Sequence, residues 1–270
     1  MEPLTVSATR APAPVSQVPF TVEVVPQDAF SEGVSMTVDG ALRSAADFSL
    51  FRRNDSMTAN PTAQGVSLRG LGPSGASRSL VLLDGIPLND PFGGWVPWSL
   101  VPADSLAGAE IVPGGGASAW GNAALAGVIQ LFSRQPVAGA GAASAMAGDL
   151  GTRSAYLSDA FPLGGGTLEL QGQEFATDGA VLVAAAERGP VDVAAASRHE
   201  SARARWRGPL GPAATATFTL RSYGEWRDNG TPYQQNRLRS VLASAALSGA
   251  GGGGETWSAT AYVQIGRAHV

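Results

Sequence analysis

The second half of the chain consists of segments of about ten residues in which apolar and polar side chains alternate. Residues 214–221 alternate Ala, Phe and Leu with Thr and Arg, and residues 257–265 alternate Trp, Ala, Val and Ile with Ser, Thr, Tyr and Gln. Because successive side chains of a β-strand point to opposite faces, each segment predicts a strand with one apolar and one polar face. Such segments, separated by turns, are typical of outer-membrane β-barrels.

The connections between these strands support the same architecture. Turns at 162–166, 208–213 and 249–254 are short, whereas the connections at 177–198 and 226–235 are longer. Outer-membrane barrels have short periplasmic turns and longer external loops. The turn at 149–152, which is short, is an exception, and a soluble β-sandwich is the alternative fold. The seven predicted strands are 137–148, 153–161, 167–176, 199–207, 214–225, 236–248 and 255–265.

The composition excludes several classes of enzyme and of partner. The chain has no Cys and no Lys, and all 18 of its basic residues are Arg. It therefore has no disulfide, no thiolate metal site and no P-loop or Schiff-base lysine. Only His199 and His269 are candidate imidazole bases, and His199 lies at the end of a loop with no Ser nucleophile motif nearby. The net charge of -4 argues against nucleic-acid binding. We therefore predict a protein that is not an enzyme and that has no cofactor.

No run of residues approaches the roughly 20 apolar residues that a membrane-spanning helix requires. Met1 is followed directly by Glu2 and Pro3, and no apolar signal-peptide core comes next. We expect the chain to begin at a mature or trimmed N-terminus.

Residues 1 to about 136 follow a different pattern, in which short strands are mixed with brief helices. The β-branched run at 20–25 predicts a strand that ends at Pro26, and residues 37–45 predict a helix with Thr37 as its N-cap. Asp84-Gly85 predicts a tight turn. Together these elements predict a small mixed sheet. Its remaining predicted strands are 66–69, 80–84, 109–112 and 128–132.

Several sequence motifs of this half occur in a fixed order. They are Leu4-Thr5-Val6-Ser7-Ala8 with Thr9-Arg10, Ala41-Leu42-Arg43, Ser67-Leu68-Arg69-Gly70, the run 80–89 (LVLLDGIPLN), Ala109-Glu110-Ile111-Val112, Trp120-Gly121-Asn122-Ala123-Ala124, and the run 127–134 (GVIQLFSR). This succession, over about 135 residues, resembles the plug domain of TonB-dependent outer-membrane transporters.

The resemblance implies an α+β plug domain, a small mixed sheet with short helices, followed by an incomplete antiparallel transmembrane β-barrel. Barrels that hold a plug have about 22 strands, so we expect seven strands to be the start of a truncated barrel. The last six residues read like translated sequencing-adapter DNA and are excluded from functional reasoning. The predicted parts are a TonB box and linker at 1–18, the plug at 19–136, the barrel strands at 137–264 and a non-native tail at 265–270.

The resemblance also implies a function, the TonB-dependent import of a bulky, scarce nutrient across the bacterial outer membrane. A ferric siderophore is the first candidate and cobalamin the second. The implied partners are TonB, this small-molecule substrate and outer-membrane lipid. A passive porin, an outer-membrane adhesin and a soluble binding protein are the alternatives. The implied TonB box, Leu4, Thr5, Val6, Ser7 and Ala8, is expected to be an unpaired extended segment that adds to a sheet edge of its partner.

The resemblance assigns roles to charged and aromatic residues of the plug. Four charged residues in apolar strands are expected to form ion pairs with the barrel wall, with surface exposure as the alternative: Arg69, Asp84, Glu110 and Arg134. The outward loops 53–64 and 89–98 are expected to bind substrate, and packing of their aromatic rings is the alternative. The implied substrate-binding residues are Asn60, Gln64, Asn89, Phe92, Trp95 and Trp98. Asp178, Glu187 and Asp192 have no known metal-loop spacing, so no metal site is predicted.

Overall fold

The computed structural model describes residues 4–5, 7–33, 35–52, 56–70, 77–114, 117–251, 253 and 255–269. The chain forms two units, Met1–Arg134 and Gln135–Val270. The sequence predicted this boundary two residues later, at 136. No helix in the described part of the chain is long and apolar enough to cross a membrane.

The first unit contains a mixed sheet of five short strands, which lie in the order β3 (Glu23–Pro26), β8 (Leu106–Pro113), β9 (Gly127–Ser133), β6 (Ser79–Leu83) and β7 (Ile86–Pro87). The β6–β9 pair is parallel and the other three pairs are antiparallel, which confirms the mixed sheet. Two further pairs, β1–β2 and β4–β5, lie outside this sheet. The strands are β1 (Leu4–Thr5), β2 (Ala13–Pro14), β3 (Glu23–Pro26), β4 (Phe48–Leu50), β5 (Val66–Leu68), β6 (Ser79–Leu83), β7 (Ile86–Pro87), β8 (Leu106–Pro113) and β9 (Gly127–Ser133).

The helices of this unit are all short. Thr37 caps α2 as predicted, because its Oγ1 accepts a hydrogen bond of 3.2 Å from the Gly40 N–H. The predicted helix at 37–45 is divided into one α-helical turn and a 3-10 turn, a common way for a helix to end. The α-helices are α1 (Asp28–Ser31), α2 (Val38–Ala41) and α3 (Ala117–Trp120), and the 3-10 helices are Val15–Gln17, Leu42–Ser44, Pro61–Ala63, Trp98–Leu100, Ala103–Ser105 and Asn122–Ala124.

Local chemistry explains two features of the sheet. Strand β3 includes Pro26, which the sequence analysis placed just after the strand. The strand lies at the sheet edge, where a residue without an N–H is tolerated. Asp84 and Gly85 have φ values of 51° and 83°, and they join β6 to β7 in the predicted tight turn.

The core of the first unit is apolar and almost fully buried. Leu82, Ile111, Ile129 and Leu131 are each at most 1% exposed, and all four lie on the strands of the central sheet. Trp120 packs beside a cluster that includes Leu82. Burial of these side chains is the main favourable contribution to folding of such a unit.

The second unit is one antiparallel sheet of seven strands in sequential order, as predicted. Its first and last strands are each paired on one side only in the described part of the chain, so the barrel is not closed. The short tail segment 265–269 continues the last strand. The strands are β10 (Ala142–Ala147), β11 (Arg153–Leu163), β12 (Gly166–Thr177), β13 (Ser197–Pro209), β14 (Ala214–Asp228), β15 (Gln235–Ala250) and β16 (Thr256–His269), and a 3-10 helix spans Ala185–Glu187.

The two faces of this sheet differ in chemistry. One face, which we call the apolar face, exposes large aliphatic and aromatic side chains, among them Leu157 (63%), Leu220 (55%) and Val263 (56%). This face also carries exposed charged side chains, among them Asp159, opposite Leu170, and Glu200, opposite Gly224. The other face, the polar face, carries buried charged and polar residues. One end of the sheet, the long-loop end, bears the connections 178–196 and 229–234.

Candidate functional site

The N-terminal segment is docked on the first unit by hydrogen bonds to one buried carboxylate. The Glu110 Oε2 atom accepts hydrogen bonds from the Thr5 hydroxyl at 2.8 Å and from the Ser7 N–H at 2.9 Å. The Ser7 carbonyl accepts a hydrogen bond of 2.7 Å from the Trp120 indole N–H. The Arg10 guanidinium lies 4.6 Å from the centre of the Trp120 ring. Four contacts therefore hold Thr5, Ser7 and Arg10 on the first unit.

This docking differs from the expected unpaired, extended segment. Leu4 and Thr5 pair with Ala13 and Pro14 in the β1–β2 hairpin. Thr5, Ser7 and Ala8 are buried, with at most 7% exposure. Val6 lies outside the described residues. The segment folds back because Glu110, on β8, is a charged acceptor able to take several hydrogen bonds, and a buried carboxylate requires such donors.

The four predicted ion-pair residues all have partners within the first unit. Arg69 Nε lies 3.8 Å from Asp47 Oδ1, and both side chains are substantially exposed, so this pair contributes little. Asp84 Oδ1 accepts a 2.9 Å hydrogen bond from the Ser133 N–H. The Arg134 side chain donates one of 3.3 Å to the Leu106 carbonyl. A role for these residues and for Glu110 against the barrel wall stays a prediction.

The loop 89–98 exposes one aromatic ring to solvent on a hydrogen-bonded turn. The Asp90 carboxylate accepts hydrogen bonds from the Phe92 and Gly93 N–H groups at 3.0 and 2.6 Å. Asn89 accepts a 2.7 Å bond from the Val81 N–H, and it anchors the start of the turn to β6. The Phe92 side chain is 99% exposed. Trp95 folds over Gly93, where a Cβ atom would overlap its ring.

Two of the predicted substrate-binding residues are buried in the first unit. Trp98 is 1% exposed, packs edge-on to Phe48 at 6.1 Å, and donates a 3.3 Å hydrogen bond to the Gln64 carbonyl. Gln64 is also 1% exposed, and its amide donates to the Ala59 carbonyl at 3.1 Å. Substrate binding by these two residues stays a prediction.

Asn60 lies in the other predicted substrate loop, of which residues 53–55 are outside the described part of the chain. Its Oδ1 atom accepts hydrogen bonds from the N–H and the hydroxyl of Thr62, at 3.1 and 2.9 Å. The side chain thereby caps the 3-10 helix Pro61–Ala63, and it is partly exposed. Substrate binding by Asn60 stays a prediction.

The polar face of the second unit contains a compact charge cluster. Glu169 Oε2 lies 3.0 Å from Arg203 Nη2 and 3.1 Å from Arg205 Nη2, and all three residues are buried. Farther along the face, Arg227 Nε donates a 2.6 Å hydrogen bond to Glu225 Oε1. A carboxylate shared by two guanidiniums fixes the relative positions of β12 and β13.

His199 belongs to this face rather than to a loop end, which corrects the sequence expectation. It lies within β13, is 5% exposed and stacks on Phe175 with ring centres 4.7 Å apart. Among the described residues, no three His, Cys, Asp or Glu side chains form a group that could hold a metal ion.

Comparison with known proteins identifies the first unit. Residues 14–128 match the family model of the TonB-dependent Receptor Plug Domain. These residues are a TonB-dependent receptor plug domain. No curated protein sequence matches the chain.

Solved structures of outer-membrane receptors share the fold of the plug and of the strands that follow it. The alcaligin outer-membrane receptor FauA from Bordetella pertussis matches with a TM-score of 0.72 and 16% identity over 98% of this chain and 42% of that one. The siderophore receptor PirA from Acinetobacter baumannii matches with a TM-score of 0.70 and 15% identity over 94% and 40%. PirA from Pseudomonas aeruginosa matches with a TM-score of 0.67 and 17% identity over 94% and 43%.

The matches cover only part of each solved structure. The chain spans about two fifths of the length of the matching structures. Its seven strands share the fold of part of their barrel, and in this chain they form an incomplete barrel. The protein belongs to the bacterial outer membrane, and the plug's family is one of receptors rather than enzymes.

The sequence did not predict the roles of some residues near the plug's N-terminal segment and on the barrel strands. Trp120 and Arg10 were noted only as parts of motifs, and their contacts join positions more than 100 residues apart. The Glu169 cluster had a detectable signal, because Arg203 and Arg205 are two residues apart and so share a face of a predicted strand.

Proposed function

We propose that the protein is a TonB-dependent importer of a ferric siderophore across the outer membrane. The observation that carries this proposal is the plug domain, preceded by a short β-prone segment that its own fold holds in place. Similar structures are described as siderophore receptors, among them the two PirA proteins. Because the outer membrane has no ATP, such import requires energy delivered by a partner, which we propose is TonB.

The N-terminal segment is the proposed TonB-binding element. An extended peptide binds a partner's sheet edge through its backbone N–H and C=O groups. Leu4 and Thr5 already use such groups to pair with Ala13 and Pro14. TonB binding at residues 4–8 therefore has to displace the β1–β2 hairpin and the bonds to Glu110.

The four charged plug residues are proposed to connect this event to the barrel. Each of Arg69, Asp84, Glu110 and Arg134 is placed at a strand or at its end in the plug. An ion pair in a wet lumen is weak enough to open under load, because solvent screens it. We propose that a pull on residues 4–8 breaks the hydrogen bonds to Glu110 before it affects the other three residues, since Glu110 bonds the segment directly.

The substrate is proposed to contact the plug at Phe92, Trp95, Asn60 and Asn89. An exposed ring on a rigid turn suits a bulky and partly apolar ligand, since it adds contact area without ordering the loop. Such a surface fits a ferric siderophore, and cobalamin is the second candidate.

The test compares binding with uptake in the full-length receptor carrying Val6→Pro. A proline there removes a backbone donor and fixes φ, so strand addition to TonB fails while the distant loops are unchanged. We expect ferric siderophore binding to cells to be retained and energised uptake to be lost. Ala11→Pro, in the spacer that already contains two prolines, is the matched control and should leave uptake intact.

The outcomes separate the candidates. Uptake that survives both Val6→Pro and deletion of TonB would support a passive porin. Binding without any TonB-dependent uptake would support an adhesin. Uptake of cobalamin but not of ferric siderophores would keep the mechanism and change the substrate.

A further inference from the structure

A fully buried carboxylate lies next to the predicted substrate loop 53–64. Asp39, in α2, is 0% exposed. Its Oδ2 atom accepts hydrogen bonds from Arg52 Nη2 at 2.8 Å and from the Ser56 N–H at 3.0 Å, and its Oδ1 atom accepts one of 2.6 Å from the Ser56 hydroxyl. Asp39 therefore bonds the chain on both sides of residues 53–55, which lie outside the described residues.

The helix that carries this carboxylate is packed in the core of the plug. Val38, beside Asp39, and Leu42, in the turn that follows, are each at most 1% exposed. The Thr37 side chain caps the first turn of the helix. The hydrogen bonds of Asp39 therefore attach Ser56 to the core of the plug.

The attachment is charged, and little of it is exposed to water. The Arg52 side chain is 7% exposed, and Ser56 is 0% exposed. A buried carboxylate is stable when hydrogen bonds replace its hydration, and hydrogen bonds to an ionised group are stronger than those between neutral groups. Loss of one charge from a buried pair is costly, whereas an exposed pair such as Arg69–Asp47 contributes little. Asp39 is therefore a strong anchor for Ser56.

The anchored segment ends in a turn that Gln64 closes. The Gln64 side-chain amide donates a 3.1 Å hydrogen bond to the Ala59 carbonyl, and the Gln64 N–H donates one of 3.0 Å to the Pro61 carbonyl. Ser56, Ala59 and Gln64 are each at most 3% exposed, so buried residues hold both ends of the segment. Asn60, which is proposed to contact the substrate, lies within this turn.

The Gln64 carbonyl joins this segment to the second predicted substrate loop. It accepts hydrogen bonds from the Val96 N–H at 3.2 Å and from the Trp98 indole N–H at 3.3 Å. Val96 and Trp98 are each at most 1% exposed. The turn that exposes Phe92 ends immediately before Val96. The two loops thus form one hydrogen-bonded unit.

This unit presents Asn60 and Phe92 on a backbone that Asp39 attaches to the core. A loop that is already in its binding conformation loses less conformational entropy when a ligand binds, so the affinity is higher. We propose that Asp39 is a positioning residue for substrate binding, which holds both loops in place before the substrate arrives. This role rests on the proposed function, in which the two loops contact the substrate. When only a fraction of the molecules have their loops in place, the apparent dissociation constant rises by the inverse of that fraction.

The first measurement is amide hydrogen exchange of the full-length receptor in detergent, which needs no substrate. Asp39→Asn keeps the shape of the side chain and removes its charge. Exchange at residues 56–64 should become about tenfold faster, because a charged acceptor of three hydrogen bonds is replaced by a neutral one. A smaller increase is expected at 94–98 and none at β8. Asp28→Asn, at an exposed position in α1, is the matched control and should exchange like the wild type.

The second measurement separates positioning from a loss of folded receptor. Uptake is followed with radiolabelled iron bound to the siderophore that wild-type cells import best, chosen from a panel of hydroxamates and catecholates. In Asp39→Asn the half-saturating concentration should rise about tenfold, in step with the loss of molecules whose loops are in place. The maximal rate should be unchanged, because residues 4–8 are untouched, whereas a receptor that only folds poorly would lower the maximal rate. Asp28→Asn should change neither quantity.

Two further variants test how the carboxylate acts. Ser56→Ala removes only the hydroxyl bond to Asp39, so it should give the same changes with a smaller magnitude. It decides the question if Asp39→Asn does not fold, which the heat-dependent shift of the barrel in gel mobility reveals. Asp39→Asn/Arg52→Gln removes both charges, and exchange at 56–64 should stay faster than in the wild type.

Three results would overturn the proposal. The first is unchanged exchange at 56–64 in folded Asp39→Asn, or in Ser56→Ala where that variant is used. The second is faster exchange with an unchanged half-saturating concentration, which would give Asp39 a structural role only. The third is a return to wild-type exchange in the Asp39→Asn/Arg52→Gln variant, which would mean that the carboxylate serves only to neutralise Arg52. If wild-type cells import no siderophore of the panel, the proposed function fails, and the exchange measurement still decides whether Asp39 holds the loops.

Discussion

The plug buries its apolar side chains in a core, whereas the barrel strands expose theirs on one face of the sheet. In the plug, Leu82 and Ile129 are covered almost completely, and charged residues lie at strand ends or accept several hydrogen bonds. In the barrel strands, Leu157 and Leu220 are more than half exposed, while Arg203 and Arg205 are buried. The first arrangement is stable in water, and the second is stable only where lipid covers the exposed side. One chain therefore follows two folding rules that change near residue 135.

The two regions also differ in the groups that satisfy their buried carboxylates. Glu110 in the plug is a single buried carboxylate that is satisfied by the hydroxyl of Thr5 and the N–H of Ser7. Glu169 on the barrel strands is satisfied by two guanidiniums from the neighbouring strand. A plug loop can wrap around an acceptor, whereas a regular strand can offer it only the side chains of fixed cross-strand neighbours.

Separating the two regions should have the largest effect. Residues 137–270 expressed alone should be insoluble in water, because seven strands leave unpaired edges and an exposed apolar face. Residues 1–136 should fold as a marginally stable domain. Solubility, circular dichroism and thermal melting of the two pieces measure this. A monodisperse, folded preparation of 137–270 in water, or a random-coil spectrum for 1–136 at low temperature, would break the comparison.

A substitution in the plug core should have the next largest effect. Leu82→Ala removes a side chain that packs with Val128, and it should destabilise residues 1–136 by about 2–5 kcal/mol. Leu125→Ala is the control, since Leu125 is 56% exposed, and it should change stability by less than about 0.5 kcal/mol. Urea unfolding followed by fluorescence gives both values. Similar losses for the two variants would mean that burial does not decide stability in this unit.

Weakening the dock of the N-terminal segment should have the smallest effect. Glu110→Gln replaces a charged acceptor by a neutral one, which should cost the dock about 1 kcal/mol. Amide exchange at residues 4–14 of the fragment 1–136 should then be about fivefold faster, since 1.4 kcal/mol corresponds to tenfold. Glu23→Gln is the control, because Glu23 bonds the Ala46 N–H and not the segment. Equal exchange in the two variants would remove Glu110 as the anchor.

Much of this architecture was predictable because its determinants are local. The alternation of residue types located all seven barrel strands, and it located them well because a one-residue slip would turn every side chain to the other face. The cap at Thr37 and the turn at Asp84-Gly85 depend on neighbouring residues only. The motif order identified the plug, and the family model covers residues 14–128 of it.

The parts that the sequence did not predict depend on distant contacts. Gln64 and Trp98 were predicted to bind substrate, but their burial and the contact between them, 34 positions apart, were not predicted. The dock of Thr5 on Glu110 joins positions 105 residues apart. The pairing of Glu169 with Arg203 requires the register of β12 and β13, which follows from the ladder rather than from either strand alone.

Docking of the N-terminal segment, which includes the β1–β2 hairpin, lowers the apparent affinity of residues 4–8 for any partner that binds them undocked. A partner that binds the segment only when it is undocked has an apparent dissociation constant equal to the intrinsic one divided by the undocked fraction. If the bonds to Glu110 and Trp120 together stabilise the dock by about 2.7 kcal/mol, roughly one molecule in a hundred is undocked. The resting receptor then competes about a hundredfold less well for a scarce partner than a free peptide of the same sequence. The strength of the contacts to Glu110 and Trp120 therefore determines what fraction of the molecules offers residues 4–8 to a partner.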